Sequence, residues 1–407
     1  MSTRMKINEP LTLLGGLTPE EFMRDYWQRK PLLIRQAIPG FVPSLSITDI
    51  RELVGREEVE SRLIWRDSKG WHMEQGPFDT LPDARKKNWT ALAQSVDLHD
   101  DATAELMHQF RFIADARLDD VMVSIAADGG GVGPHFDSYD VFLLQGAGKR
   151  HWRISQQTDL SLEPGLPLKI LKNFQVEEDY ILEPGDMLYL PPHVAHDGIA
   201  LGDCMTLSIG FRAPTQATLA CGLLQAANDQ IMANLGDTSG LYAEPALPGP
   251  VLSDTYKDPG VAATTQPACL PEGLIQSALN AVASVRFSPE LAERFLGQWL
   301  TELPEAALFD PPEDPIDLTE ALPTHGRLKL DRCTRLLYRN NSLFINGEVV
   351  PVPASPALCA LADARFLDLE HDNSLARQLS DAERHTLTLW IEDGWLHYQD
   401  MSAQETP

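Results

Sequence analysis

The chain has 407 residues, more than one hydrophobic core usually organises, so two or three domains are expected. With 43% hydrophobic and 23% charged residues it reads as an ordinary soluble protein, and no apolar stretch is long enough for a signal peptide or a membrane span. A net charge of −26 repels phosphate backbones, which argues against direct nucleic-acid binding and favours a basic protein partner.

Thr18-Pro19-Glu20-Glu21 carries an N-cap, a proline at the first helical position and a capping-box glutamate, so a helix is expected from there through Trp27. Pro31 stops it, and residues 32–38 (LLIRQAI) follow as a strand. Ser46 to Leu53 is a second short helix, and 61–75 a hairpin turning at Ser68-Lys69-Gly70. A block of short β-branched or aromatic runs comes next, at 121–126, 139–145, 151–155, 186–191 and 204–211, bounded by Gly and Pro. Gly146-Ala147-Gly148 reads as a turn between the second and third. Closely spaced strands of this kind predict a barrel or a double-sheet jelly roll.

After Pro214 the texture changes: residues 215–236 and 273–303 are Ala/Leu-rich with helical periodicity, joined by a connection holding Pro245, Pro248, Pro250, Pro259, Pro267 and Pro271. An acidic linker (309–320) leads to a hairpin-like pair with Asn346-Gly347 as a tight turn, a helix over 356–365, a helix from the capping box Ser380-x-x-Glu383 to Gly394, and a last strand, WLHYQ. That unit is winged-helix-like. The five cysteines (Cys204, Cys221, Cys269, Cys333, Cys359) are scattered, odd in number and lack C-x-x-C spacing, so a reducing cytoplasm is expected rather than a disulfide framework or zinc knuckle.

Chemistry concentrates in GPHFDSYDVFLL (133–144). Residues i and i+2 of a strand share a face, so His135 and Asp137 project together, with Tyr139 next in line. His99 and Asp101 have the same spacing in polar, non-strand surroundings and are set aside. The glycine-rich approach DGGGVGP allows close backbone passage to something bulky. Two imidazoles and a carboxylate on one face of iron(II) form the facial triad of non-haem oxygenases, and the third ligand is sought in LYLPPHVAHDG (188–198). Spacing alone does not choose between His193 and His196. In KRHWRIS, Arg150 shares a face with Trp152 and Ile154, and an arginine on an apolar face wants a buried anion. On 204–211 the small residues Cys204, Thr206, Ser208 and Gly210 share one face, leaving room for a ligand.

These stretches, GGGVGPHFDSYDVFLLQGAGKRHWRIS, EPGDMLYLPPHVAHDG and LSIGFRAP, together with YWQRKPLLIRQAIPGF, resemble the bacterial ribosomal oxygenases of the JmjC (cupin-like) group. The resemblance covers residues 18–214, and the rest matches in layout. It implies a mainly β double-stranded β-helix (1–213), a helical dimerisation region with a Pro-rich insert (214–305) and a C-terminal winged-helix-like α+β domain (306–407). It implies Fe(II), 2-oxoglutarate and O2 as cofactors, with His135, Asp137 and His196 as iron ligands. Arg150 would anchor the far carboxylate of the cosubstrate, with Ser124 and Thr206 also at that site. Thr206 stands where relatives often carry an amide. Asp120, Met122, Tyr139 and Ser208 would hold an arginine side chain of a basic ribosomal protein, large-subunit protein sixteen, with Asp120 pairing its guanidinium. Asp119 is adjacent, and either acid could be the inward one. The alternatives are a JmjC-type hydroxylase or demethylase on another basic protein, which as a demethylase would release formaldehyde, and a non-catalytic cupin and winged-helix regulator, which would show no iron-dependent turnover.

Overall fold

The structure is a computed structural model describing residues 6–83, 85–370 and 375–401. Its contacts divide the chain into two compact units, one of residues 1–213 with 304–311 and 331–333, the other of the remainder.

In the first unit α1 (Pro19–Asp25) forms where expected. Thr18 Oγ1 accepts from the Glu21 N–H at 3.1 Å and the Glu21 carboxylate accepts from the Thr18 N–H at 2.9 Å, so two otherwise orphaned donors are satisfied. The helix ends at Asp25, short of Trp27, and the backbone passes through Gln28 at φ 55°. That turn is held by polar bonds. Tyr189 Oη accepts from the Gln28 N–H at 2.8 Å and donates to Asp140 at 2.6 Å, and Gln28 Nε2 donates to the same carboxylate at 2.8 Å. Asp140 is fully buried, and burial raises its pKa while these donors lower it.

Strand β1 (Leu32–Ile34) is shorter than the sequence implies, because Gln36 at φ 47° ends it and the Asp186 carboxylate accepts from its N–H at 2.9 Å. Helix α2 (Ile47–Leu53) has its own capping box, and β2 (Ser61–Asp67) pairs with β3 (Gly70–Gln75) across a two-residue turn at Ser68-Lys69. Sequence reasoning passed over β4 (Trp89–Ala93), α3 (Asp101–His108) and β7 (Glu178–Leu182). The set-aside His99-x-Asp101 pair lies at the start of α3, whose N-cap is Asp100.

The largest difference concerns strand length. β5 (Leu118–Ala126) is followed by β6 (Val141–Ser155), and after β7 and β8 (Met187–Leu190) by β9 (Ala195–Phe211). β6 is one continuous strand of 15 residues where a strand, a turn and another strand are expected from Gly146-Ala147-Gly148. The glycines form a bulge instead: the register with β9 shifts on both sides of Ala147, and Gly148 sits at φ 61°. A β-carbon on Gly148 would lie 2.1 Å from the Asp203 carbonyl oxygen, so the crossing is tight enough to exclude any side chain. The first half of β6 pairs with β8 and the second with β7, while β9 accompanies both halves. Bulged long strands shared between two half-sheets are how the expected double-stranded β-helix closes.

The nine strands form one sheet, ordered β1-β8-β6-β9-β5-β4-β2-β3 with β7 on β6. One face, carrying Val121, Val123, Phe142, Leu144, Leu207 and Ile209, packs with Phe22, Ile50 and Leu106 from the helices. The other face carries Val141, Leu143, Trp152, Ile154, Leu188 and Leu190 and holds the site.

In the second unit, α4 (Gln216–Ala233), α5 (Glu272–Ala283) and α6 (Pro289–Thr301) make up the helical region. The expected single helix over 273–303 is two, because Ser288 caps and Pro289 begins a new one. The remainder is an α+β unit. Strands β10 (Arg327–Leu330), β11 (Leu336–Arg339), β12 (Ser342–Ile345) and β13 (Glu348–Val349) are followed by α7 (Pro356–Ala364), β14 (Phe366–Asp368), α8 (Asp381–Glu392) and β15 (Leu396–Gln399). Asn346-Gly347 is a tight turn, joining β12 to β13, and a second turn at Asn340-Asn341 makes the hairpin a three-stranded meander. The sheet β14-β10-β15 with α7 and α8 around Leu358, Leu387 and Trp390 is the winged-helix arrangement. Among the described residues no helix is long and apolar enough to cross a membrane.

Candidate active site

The glycine run 129–133 brings His135 to β9. A β-carbon on Gly130 would fall 2.0 Å from the Trp89 carbonyl oxygen, and one on Gly131 2.4 Å from that of Gly198. The bulky object that the glycines let the backbone approach is therefore the neighbouring sheet. Gly129 and Gly130 exchange hydrogen bonds with Ala200, both at 2.9 Å, and the chain then forms a two-bond bridge between His135 and His196 (2.9 and 2.8 Å). Two segments distant in sequence are thereby locked side by side, with their imidazole centroids 4.2 Å apart.

The tautomers follow from the carbonyls they meet. A carbonyl can only accept, so His135 Nδ1–H donates to Gly133 at 2.8 Å and His196 Nδ1–H donates to Val194 at 2.9 Å. Each ring thus keeps its Nε2 lone pair for a metal and is held in orientation by its other nitrogen. Asp137 Oδ2 lies 3.6 Å from His196 Nε2, and one ligand atom from each of His135, Asp137 and His196 lies within 4.8 Å of the others. No other group of this kind is found among the described residues. Burial holds the His196 imidazole well below its ordinary range, with His135 adding to the effect and Asp137 opposing it, so it is neutral and able to ligate at physiological pH. The set of two imidazoles and one carboxylate suits a divalent iron with open positions. Of the two histidines that spacing leaves open, His196 lies in this cluster and His193 does not. His193 is exposed, stands at φ 66° and lies tilted beside Phe136, while its N–H donates to the Asp137 carbonyl at 2.8 Å.

Arg150, Trp152 and Ile154 are buried, as the alternation implies, while Lys149 is exposed and His151 and Arg153 are half-buried. Arg150 pairs across the ladder with Ala200 and Ile154 with His196, so the guanidinium and the ligand histidine start from one face. Arg150 is 4% exposed, yet it has no carboxylate partner among the described residues. Its Nη2 meets only the Cys204 sulfur at 3.6 Å, and its buried Nε has no partner. A buried cation with unspent donors is a site for an anion, and the far carboxylate of a dicarboxylate fits it.

Ladder pairing arranges the other candidates in rungs. Ser124, Thr206 and Gln145 form one, and Met122, Ser208 and Leu143 the next. Thr206 Oγ1 donates to Gln145 Oε1 at 3.1 Å, so its one proton is committed within the rung. Sequence reasoning passed over Gln145, although a fully buried glutamine ending an apolar strand is a readable signal. Of the adjacent acids, Asp119 is exposed and paired with Arg212 at 3.2 Å, and Asp120 is the inward one. The register shifts between Leu118 and Val121, which re-aims the acid. Burial and the carboxylates of Asp137, Asp120 and Asp119 raise the Tyr139 phenol above its ordinary range, so it stays a proton donor although the residue is 41% exposed.

Residues 105–219 match the family described as the JmjC domain, and residues 283–397 match the ROXA-like winged helix. The chain is 31% identical over 355 residues to the ribosomal protein uL16 3-hydroxylase of Escherichia coli K12, a match spanning 86% of this chain and 90% of that protein. It is 32% identical over 400 residues to a probable ribosomal oxygenase of Haemophilus influenzae, spanning 93% and 96%. The X-ray structure of E. coli YcfD is similar with a TM-score of 0.78 at 28% identity, covering 94% of this chain and 98% of that one. A structure of that ribosomal oxygenase in complex with cobalt and 2-oxoglutarate gives a TM-score of 0.74 at 28% identity and the same coverage. With a relative of this identity matched along most of both chains, and both domains present in order, the chain belongs to the JmjC-domain ribosomal oxygenases.

Proposed function

We propose that this chain is an iron(II)- and 2-oxoglutarate-dependent hydroxylase acting on an arginine side chain of ribosomal protein uL16. The observation that carries the reading is the clustering of His135, Asp137 and His196 within 4.8 Å of one another, with the buried guanidinium of Arg150 starting from the same face of the β6–β9 ladder as His196. Bound iron, with 2-oxoglutarate and O2, supplies the oxidising power to convert an unactivated C–H bond to an alcohol, with succinate and carbon dioxide as co-products. The chain's own residues aim that chemistry. His135, Asp137 and His196 hold the metal, and Arg150 orients the cosubstrate by its far carboxylate. Ser124 and Thr206 border it on the neighbouring rung. Asp120 takes the substrate guanidinium, and Met122, Tyr139 and Ser208 bound its aliphatic stem.

The test is incubation of the full chain with iron(II), 2-oxoglutarate and purified uL16, followed by tandem mass spectrometry. The expected result is an arginine heavier by one oxygen atom and an equivalent of succinate. Formaldehyde release from a methylated substrate would replace this reading with demethylation, and absence of any iron-dependent succinate would remove the enzyme reading altogether.

The helical region supports a homodimer. Helix α5 buries none of its residues in one chain, leaving Leu274, Ile275, Leu279 and Val282 between 42% and 70% exposed. A second copy is the occupant the uncharged face fits. Light scattering is expected to give a dimer for the wild type and a monomer for the double variant Leu279→Glu/Val282→Glu; an unchanged mass would remove α5 from the interface. The winged-helix unit is assigned to protein recognition in the cytoplasm, where ribosomal proteins are made, since a net charge of −26 disfavours nucleic acid.

A further inference from the structure

The two oxygens of the Asp120 carboxylate are not equivalent. Oδ2 accepts from Gln94 Nε2 at 2.6 Å, from the Ser95 N–H at 2.9 Å and from Ser95 Oγ at 3.2 Å. Among the described residues no hydrogen bond reaches Oδ1, which lies 3.3 Å from where a β-carbon on Gly210 would sit, beside the small-residue face of β9. Ser95 adopts a left-handed conformation, φ 52° and ψ 42°, uncommon for a serine, and in it both its N–H and its hydroxyl reach the same oxygen. The same segment grips the bulge a second time, since Asp97 Oδ1 accepts from the Val121 N–H at 2.7 Å. Four hydrogen bonds from residues 94–97 thus fix a stretch of β5 that the ladder with β9 leaves irregular.

We infer that Gln94 and Ser95 are positioning residues for the hydroxylation: they hold Oδ2 so that Oδ1 alone is presented to the incoming guanidinium. The inference rests on the reading of Asp120 as the guanidinium partner. Three donors fill the acceptor capacity of Oδ2, so the substrate meets the carboxylate end-on through one oxygen rather than by a two-pronged grip. End-on contact leaves the guanidinium free to swivel about a single bond, so the placement of Oδ1 and the walls supplied by Met122 and Tyr139 together decide which carbon faces the metal. The donors have an electrostatic role as well. Burial and the neighbouring Asp119 both favour the protonated acid, and the Ser95 and Gln94 donors oppose them.

The test uses the full chain with iron(II) and 2-oxoglutarate, and reads two rates: hydroxylation of uL16, and succinate formation without protein substrate. Gln94 is half-buried, so its replacement opens no large cavity in the core. Gln94→Leu is expected to raise KM for uL16 about tenfold, the loss of one hydrogen bond to a charged group. Ser95→Ala should raise it less, because the Ser95 N–H remains. Gln94→Glu, which sets a second carboxylate against Asp120, should raise it more than Gln94→Leu. Substrate-free succinate formation should be unchanged in all three. Wild-type KM in Gln94→Leu and Ser95→Ala, with a raised KM in Asp120→Asn, would overturn the positioning role and leave the guanidinium reading standing. Wild-type KM in Asp120→Asn itself would remove that reading and the inference with it. Parallel loss of succinate formation would mark a merely structural role and overturn the inference.

Discussion

Asp137→Ala is expected to leave a folded protein that no longer retains a divalent metal. Among the described residues the side chain makes a single close polar contact, the 3.6 Å approach to His196 Nε2, so little of the fold depends on it. The neighbouring backbone is held independently, because the Asp137 carbonyl accepts from His193 and the His135–His196 bridge is made by main-chain atoms. What the substitution removes is the one carboxylate of the cluster. Two imidazoles remain, and a dication then meets no carboxylate in a partly buried site. Losing an outer partner of a metal ligand already weakens binding about 10–100-fold, so losing the ligand itself should exceed about 100-fold. The measurement is metal content after dialysis, with the visible absorption of a cobalt(II)-loaded sample as a readout independent of turnover; hydroxylation of uL16 should vanish with it. His193→Ala is the control, since that ring is exposed and outside the cluster, and it should keep both metal and activity. Wild-type cobalt absorption in Asp137→Ala would strike the carboxylate from the ligand set.

The His-x-Asp pair and the two candidate histidines were legible because spacing and residue chemistry are local properties, although residues 135–140 lie outside the strands and β6 begins only at Val141. The sequence places His135 and Asp137 two residues apart; it does not show which of His193 and His196 lies beside them. That was decided by a long-range event, the pairing of the glycine-run segment with the start of β9, and by the left-handed turn that throws His193 outward. The same division runs through the fold. Capping boxes at Thr18 and Ser380 are complete within four residues and formed as expected. The continuity of β6 and β9 was not legible, because Gly-x-Gly is as suitable for a bulge as for a turn, and only the partner strand on both sides of it selects the bulge. β4 and β7 were missed for a related reason. Neither ends at a proline or glycine, and the half-exposed β7 (EDYIL) looks polar until its pairing with β6 is known. Gln94 and Ser95 carry no sequence signal at all; their role exists only because a bulge in β5 turns Asp120 toward them.

Arg150→Met should move stability and function in opposite directions. In the protein alone Arg150 is 4% exposed, meets no carboxylate among the described residues and leaves Nε without a partner, so folding desolvates a charge that is only weakly compensated. The Cys204 sulfur is a weak acceptor, and the Trp152 ring, 5.7 Å from the guanidinium carbon, returns only part of the cost. Methionine keeps much of the stem that packs beside Trp152 while removing the charge. By analogy with buried ion groups replaced by apolar residues, the variant should be more stable than wild type by about 1–2 kcal/mol, measured as a shift in the urea midpoint at unchanged slope. Its response to cosubstrate should be the reverse. 2-Oxoglutarate binds the folded state alone, so with a metal present it should raise the melting temperature of the wild type in a concentration-dependent way. In Arg150→Met that dependence should be displaced to concentrations at least about tenfold higher, the size expected for a lost charge-assisted contact to a carboxylate. Arg150→Lys separates charge from shape: an ammonium restores attraction without the planar fork, so part of the affinity should return. A variant that was destabilised and still bound 2-oxoglutarate normally would show that Arg150 serves the fold. A variant that gained stability and lost the ligand would show that the buried positive charge is kept for the anion, at a cost the fold carries whenever the site is empty.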